Sequence, residues 1–183
     1  MSSSALDRLR GLLRRGRPAA HAFATTPLRP EFAGEHLAGN RVWRGSHVTY
    51  LGAADRARFR LSARDGLLYT ADGTLFDTTE ASTLWSPSGG RAIFVMDADG
   101  LIYSSPRHLL GRFHHSSFLA GCPVAAAGEL VARNGRIILV SDHSTHYRPA
   151  RRFTNQILDS LRAQGIPTDA VSVEFHFAEQ TGT

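Results

Sequence analysis

Two clusters of histidine and hydroxyl side chains are the residues of this sequence best suited to chemistry. His114, His115, Ser116 and Ser117 are consecutive, and the segment 143–148 reads HSTHYR. Histidine titrates near neutral pH and can activate a hydroxyl or donate to an oxyanion. In a strand, adjacent side chains point to opposite faces, so only one of the paired histidines would face a given group. The pattern predicts a catalytic or ligand-binding site, with ordinary capping hydrogen bonds as the alternative.

The segment 143–148 leads into a predicted helix, and functional groups concentrate in loops of this kind. Its two histidines, His143 and His146, could bind a metal together with His115. Only Asp142 supplies a carboxylate at a convincing spacing, so we expect no metal. Capping of the helix by the hydroxyls of this segment is the competing interpretation.

Two charged residues outside the clusters are further candidates. Glu129 follows Gly128 at the start of a predicted strand, where small neighbours allow a ligand to approach closely. A solvated strand end is the alternative for this glutamate. Arg44 in the sequence VWRGS could hold a phosphate with its planar guanidinium, although an exposed arginine after a strand is equally common.

Hairpins are the elements that would position these residues. Apolar segments flank an Asp-Gly or Asn-Gly turn in 67–76, 92–103 and 129–140. Both central residues of such turns must tolerate positive φ, which makes this the strongest short-range hairpin signal. We therefore predict three hairpins.

The remaining periodicities complete a predicted α+β fold with a mostly antiparallel sheet. A first strand is predicted over 41–46, a helix from Pro149 to about residue 164, and a half-buried final strand over 170–177. A short basic helix is predicted up to about Arg15. We assign residues 1–40 to this helix and a linker or arm, and residues 41–183 to a single globular domain.

Composition limits the classes of function. Cys122 is the single cysteine, which excludes an intrachain disulfide and a cysteine-based zinc site. The formal net charge is +5, but residues 1–20 hold five arginines and one aspartate, so the rest carries about +1. A nearly neutral body weakens the inference of a nucleic-acid partner. No apolar run approaches the ~18 residues of a membrane span, and no secretory signal is recognised.

Several motifs carry a resemblance to a known domain. They are HSSFLAG at 115–121, AG at 127–128 and STHYRP at 144–149, preceded by LYTADGTLFDT and AIFVMDADGLIYSS. The sequence from about 66 to 165 resembles a domain of bacterial polymorphic toxins and effectors, and of plant calmodulin-binding proteins that carry an IQ motif. Thr145 replaces the usual glycine, and Cys122 replaces a glycine or polar residue. No IQ motif is recognised, so calmodulin binding is not inferred.

A looser similarity is to ADP-ribosyltransferases, whose order of residues is matched by Arg44, Ser116-Ser117 and Glu129. This resemblance implies a toxin or effector that consumes NAD. Arg44 would bind the pyrophosphate, and His115 and Ser116, beside Ser117, would hold the nicotinamide ribose or amide. Glu129 would stabilise the developing positive charge.

In the same hypothesis, Tyr147 stacks on nicotinamide, His146 carries a proton, and Arg148 is a further cofactor contact. The first alternative is a metal-independent ribonuclease that uses His115 and His146 as acid and base and Arg148 on the phosphate. The second is a non-catalytic interaction module, in which histidines and serines form a satisfied polar network that supports a binding loop. The enzyme hypotheses require the two clusters to face one cleft.

The toxin hypothesis also implies partners and a location. Its target would be an unidentified protein or RNA, and a cognate immunity protein would inhibit it. It would act in the bacterial cytoplasm or after delivery into a target cell.

Overall fold

The computed structural model describes residues 22–177, which form a five-stranded sheet, a two-stranded sheet and three helices. The strands are β1 (Ser62–Arg64), β2 (Leu67–Tyr69), β3 (Ala92–Met96), β4 (Ile102–Ser105), β5 (Ala126–Arg133), β6 (Arg136–Ser141) and β7 (Ser172–Glu174). The helices are α1 (Ala53–Ala57), α2 (His115–Phe118) and α3 (Arg151–Ala163), preceded by a 3-10 turn at Pro30–Phe32.

The large sheet has the order β4-β3-β5-β6-β7. All its pairs are antiparallel except β6 with β7, which run parallel. The predicted α+β class with a mostly antiparallel sheet, a helix near the C-terminus and a final strand is confirmed. Within the described residues, no helix is long and apolar enough to cross a membrane.

Two of the predicted hairpins are present as full ladders, β3 with β4 and β5 with β6. Asn134 and Gly135 both have positive φ, 47° and 78°, as the turn between β5 and β6 requires. The predicted hairpin over 67–76 is reduced to one bridge, between Tyr69 and Leu75, and β2 pairs mainly with β1. The Asp72 carboxylate closes the intervening turn by accepting hydrogen bonds from the Thr70 hydroxyl and the Thr74 backbone N–H.

The predicted first strand over 41–46 is wrong, because this segment forms turns. The side-chain oxygen of Asn40 accepts a hydrogen bond from the backbone N–H of Trp43, and its amide donates to the carbonyl of Ser46. A local asparagine of this kind offers the backbone partners that a sheet would otherwise supply.

Alternate residues of β3 supply a core on each face of the large sheet. Phe94 packs on one side in the cluster that includes Ile157 of α3. Ile93 and Val95 pack on the other side in the cluster that includes Phe118 of α2. The sheet therefore lies between α3 and the α2 segment.

The predicted N-terminal helix lies outside the described residues. In the described part of the predicted arm, Thr26 forms a bridge with Val124, and the carbonyl of Glu35 accepts a hydrogen bond from Val48. Glu35 itself is completely buried. The division of the chain at residue 40 stays a prediction.

Candidate functional site

The His-His-Ser-Ser cluster forms the start of the short helix α2, and all four side chains are buried. His114 precedes the helix, and its backbone N–H donates to the Ser117 hydroxyl at 3.0 Å. Successive side chains of a helical turn point about 100° apart. The turn therefore directs the side chains of His114, His115 and Ser116 to three different partners. They do not alternate between two opposite faces, as they would in a strand.

Glu35 is the centre of the network that Ser116 joins. One of its carboxylate oxygens accepts hydrogen bonds from the Ser116 hydroxyl and, at 3.4 Å, from Tyr50. The other accepts from His146 Nε2 and from Trp43 Nε1, both at 3.0 Å. Both oxygens of this buried carboxylate are therefore satisfied by donors from separate parts of the chain.

These donors decide the charge of Glu35. Burial alone would raise the pKa of the carboxyl, but hydrogen bonds from His146, Ser116 and Trp43 outweigh burial and leave the pKa below its ordinary value. An ionised carboxylate only accepts, so His146 must donate its Nε2 proton. Its Nδ1 is then the free nitrogen, and this atom is buried without a hydrogen-bond partner in the described structure.

His108 and His114 form a second pair in the same cluster. The backbone N–H of Gly111 donates to His114 Nε2 at 2.9 Å, which fixes that nitrogen as an acceptor. His114 Nδ1 lies 2.9 Å from His108 Nε2 and is the donor of that pair. Burial and neighbouring imidazoles lower the pKa of each ring to about 3, so both are neutral at physiological pH.

The two clusters predicted from the sequence meet at a cleft of about 430 Å³. The rings of His114 and His146 are 4.5 Å apart, and His146 stacks on Phe32 at 4.0 Å. Trp43 stacks on His114 at 5.0 Å and so belongs to the same wall. We call this space the aromatic cleft. The exposed apolar side chains at its rim are Leu84, Trp85 and Leu110.

His115 faces away from the aromatic cleft into the sheet. Its Nε2 donates to the carbonyl of Gly128 at 2.9 Å, and burial lowers its pKa well below the usual value. Gly128 itself has no space for a side chain, because an added Cβ would lie 1.8 Å from the carbonyl oxygen of Ser141. The glycine of the AG at 127–128 is thus explained by the close approach of β5 to the end of β6.

Glu129 belongs to a different network, although it is also completely buried. The Thr83 hydroxyl donates to one of its oxygens. The other oxygen has no hydrogen bond among the described residues and lies 3.6 Å from Arg91 and 3.9 Å from His143. Arg91 is engaged mainly by Glu174, at 2.7 and 3.1 Å. Burial therefore dominates and raises the pKa of Glu129.

His143 lies in a stack beside Glu129 and is only partly buried. Its ring stacks on Trp85 at 4.8 Å and on His176 at 4.1 Å. Burial and the neighbouring basic side chains of His176 and Arg91 lower the pKa of His143 to about 4. Across the described residues, no group of histidine, cysteine, aspartate or glutamate is arranged to hold a metal ion.

The other residues of the NAD hypothesis do not assemble around a common ligand. Arg44 is exposed and does not line the aromatic cleft. Tyr147 is buried in the core, where its hydroxyl donates to the Cys122 carbonyl at 2.9 Å. Arg148 is exposed at the cleft, with its guanidinium 5.5 Å from the ring of Phe177.

Sequence reasoning missed Glu35, Trp43, His108, Thr83 and Arg91. Glu35 lies in a segment rich in proline and glycine, where nothing in the local pattern marks a buried carboxylate. Two features of the sequence could have pointed to the missed residues. His108 has apolar neighbours in the sequence RHLLG, and the indole of Trp43 needs a hydrogen-bond partner when it is buried.

Comparison with known proteins identifies the family. Residues 48–153 match the IQ motif-containing protein middle domain, which is more than half of the chain. The chain belongs to this family. It is 33% identical over 134 residues to the IQ domain-containing protein IQM3 of Arabidopsis thaliana, covering 73% of this chain and 28% of that protein. It is 31% identical over 143 residues to IQM2 of the same plant, covering 74% and 23%. No solved structure matches.

This membership corrects four predictions. The similarity to plant IQ-motif proteins is confirmed, whereas the similarity to bacterial toxins and ADP-ribosyltransferases is not supported. The function of an NAD-consuming toxin, NAD as its substrate and a bacterial location are wrong, because the matched relatives are plant proteins of this family. Nothing in the comparisons supports a cognate immunity protein. The chain spans about a quarter of the length of the curated relatives it matches.

Proposed function

We propose that this domain is a non-catalytic protein-interaction module that accepts an apolar side chain of a protein partner in the aromatic cleft. In this proposal the network centred on Glu35 is a scaffold. It holds Trp43 and His146 in the wall of the cleft, while Leu84, Trp85 and Leu110 form the contact surface.

The observation that carries the proposal is where the histidine nitrogens of the cluster point. A proton carrier must present a free nitrogen to its substrate within hydrogen-bond reach. Both nitrogens of His114 already have partners, and the free nitrogens of His115 and His146 are buried. The low pKa of His114 also leaves it uncharged at neutral pH. These rings are better suited to a structural role in the wall of the cleft than to proton transfer.

The rim of the cleft supports a partner surface. Leu110 is 66% exposed and Trp85 is 46% exposed, and both border the same concave space. Exposed apolar groups around a pocket are typical of contact sites, and tryptophan is enriched among the residues that dominate interface energies. The family supports the proposal in a second way, because its members carry this domain as one part of a longer protein. We do not extend calmodulin binding to this chain, since its sequence has no recognised IQ motif.

The test is selection of binding peptides from a displayed random library on the purified domain, followed by affinity measurement with each variant. We expect Leu110→Ser and Trp85→Ala each to weaken the selected peptides by roughly tenfold or more. The matched control is Leu37→Ser, because Leu37 is 56% exposed but does not line the cleft.

Equal loss of affinity in the Leu37 control, or unchanged affinity in both cleft variants, would contradict the assignment of the cleft as the contact site. Circular dichroism of each variant excludes unfolding as the cause of a loss.

A further inference from the structure

A second cavity, of about 380 Å³, is lined by Arg58, Arg107 and Arg112. We call it the arginine pocket. The turn that carries Arg107 and Arg112 separates it from the aromatic cleft, since Leu109 lines one space and Leu110 lines the other. The two cavities are therefore neighbours.

The charges of the arginine pocket are not neutralised within the described structure. Its lining contains no aspartate or glutamate. The ion pairs of arginine found in residues 22–177 involve Arg29, Arg91 and Arg162, and none of the three pocket arginines. Three arginines that line one cavity favour an anionic ligand, and the planar fork of arginine suits phosphate oxygens.

The backbone that carries Arg107 and Arg112 is held in place. The N–H of Arg107 donates to the Ser105 hydroxyl at 3.1 Å. The carbonyl of Arg112 accepts a hydrogen bond from Thr49 at 2.8 Å, and its N–H donates to Leu109 at 3.0 Å. A fixed backbone lowers the entropy lost when the side chains engage a ligand.

Apolar and aromatic residues share the remainder of the lining with the polar residues His47, Thr49 and Ser105. Leu51, Phe59 and Phe113 line the cavity, and Phe59 and Phe113 pack with ring centroids 5.4 Å apart. This surface suits an aromatic ring next to the phosphate. Because the proposed function makes the ligand part of a protein, a phenyl ring rather than a nucleotide base is the aromatic group we expect beside the phosphate.

From this arrangement we propose that the arginine pocket binds the side chain of a phosphorylated tyrosine on a protein partner. The phosphate is held by Arg58, Arg107 and Arg112, and the phenyl ring lies against Phe59 and Phe113. The inference rests on the proposed function in one respect, that the phosphate is carried by a protein.

The test measures binding of N-acetyl phosphotyrosine amide to the full chain by calorimetry. Its comparison ligands are the unphosphorylated amide, the phosphoserine amide, inorganic phosphate, adenosine monophosphate and a single-stranded RNA. We expect phosphotyrosine to bind at least roughly tenfold more tightly than every other ligand. The double variant Arg107→Gln, Arg112→Gln should lose roughly tenfold or more of that affinity.

The matched control is the double variant Arg44→Gln, Arg136→Gln, which removes the same number of positive charges from exposed positions that do not line the pocket. Equal weakening by this control would indicate a general charge effect and overturn the proposal. Tighter or equal binding of inorganic phosphate, the nucleotide or RNA, or no binding of phosphotyrosine, would also overturn it.

The two experiments fail separately. If the double variant loses phosphotyrosine binding, peptide binding at the aromatic cleft can still be measured and compared with that of Leu110→Ser. If no peptide that binds the aromatic cleft is selected, binding of the small phosphotyrosine probe still tests the arginine pocket.

Discussion

Glu35 and Glu129 are both completely buried, yet their carboxylates have opposite surroundings. Glu35 receives hydrogen bonds on both oxygens, including one from Trp43 and one from His146. Glu129 receives one from Thr83, and its other oxygen has only more distant charged neighbours. The pKa of Glu35 is accordingly lowered, and the pKa of Glu129 is raised.

The difference teaches that burial alone does not decide the state of a carboxyl group. The cost of desolvation acts on both residues, and the number and geometry of donors decide which form is stable. In the Glu35 network, every donor would be left unsatisfied if the carboxylate were lost. In the Glu129 network, little depends on the negative charge. The first network is therefore a structural support of the aromatic cleft, whereas the second tolerates change.

The largest expected effect is from Glu35→Gln, which should lower the free energy of unfolding by about 3 kcal/mol. The NH2 group of the new glutamine would face a group that already donates to this side chain, either Ser116 or His146. Urea unfolding at neutral pH, followed by circular dichroism, measures the loss. The control Glu31→Gln changes a glutamate of the same segment that is exposed, and should stay within about 0.5 kcal/mol. Equal losses for the two variants would break the comparison.

A pH dependence follows from His108. In the unfolded chain this residue takes up a proton near its usual pKa of 6.5, whereas the folded state resists protonation down to about pH 3. The unfolded state therefore binds more protons in this window, and stability falls as pH decreases from 6.5 towards 3. His108→Gln should make that slope shallower by at most about 1.4 kcal/mol per pH unit. An unchanged slope in unfolding experiments across this range would show that His108 has the same pKa in the folded and unfolded states, which contradicts the prediction.

The smallest effect is expected from Glu129→Gln, at about 1 kcal/mol or less, because Thr83 retains an oxygen acceptor and no other hydrogen bond is lost. The sign of its pH effect is also opposite. A raised pKa means that the folded state holds the proton longer, so the contribution of Glu129 falls as pH rises from 4.5 through its folded pKa. Its removal should steepen the rise of stability with pH in that window. A loss as large as that of Glu35→Gln would show that the negative charge of Glu129 is needed after all.

The sheet and its main helix could be predicted from the sequence because their signals are local. Asp99-Gly100 and Asn134-Gly135 each lie in the turn of an observed hairpin, and the apolar period of 153–161 lies within α3, which begins two residues after the predicted start at Pro149. The hairpin of β5 and β6 also returns the chain to the region of α2. The meeting of the two histidine clusters was for this reason within reach of sequence reasoning.

The centre of the site could not be predicted because it depends on long-range contacts. Glu35 is 81 residues from Ser116 and 111 residues from His146 along the chain. No local periodicity connects positions so far apart. The orientation of His115 was also beyond the pattern, because a single helical turn, rather than a strand, sets the directions of its neighbours.

The most direct test of the scaffold is a pH titration of the histidine ring nitrogens by two-dimensional proton–nitrogen NMR. We predict that His108 and His114 are neutral at pH 6, that His114 Nε2 carries no proton, and that His115 is protonated only at Nε2. Imidazolium signals from His108 or His114 that titrate near pH 6.5 would contradict the account, because such rings would be free to carry protons rather than fixed as a wall of the cleft.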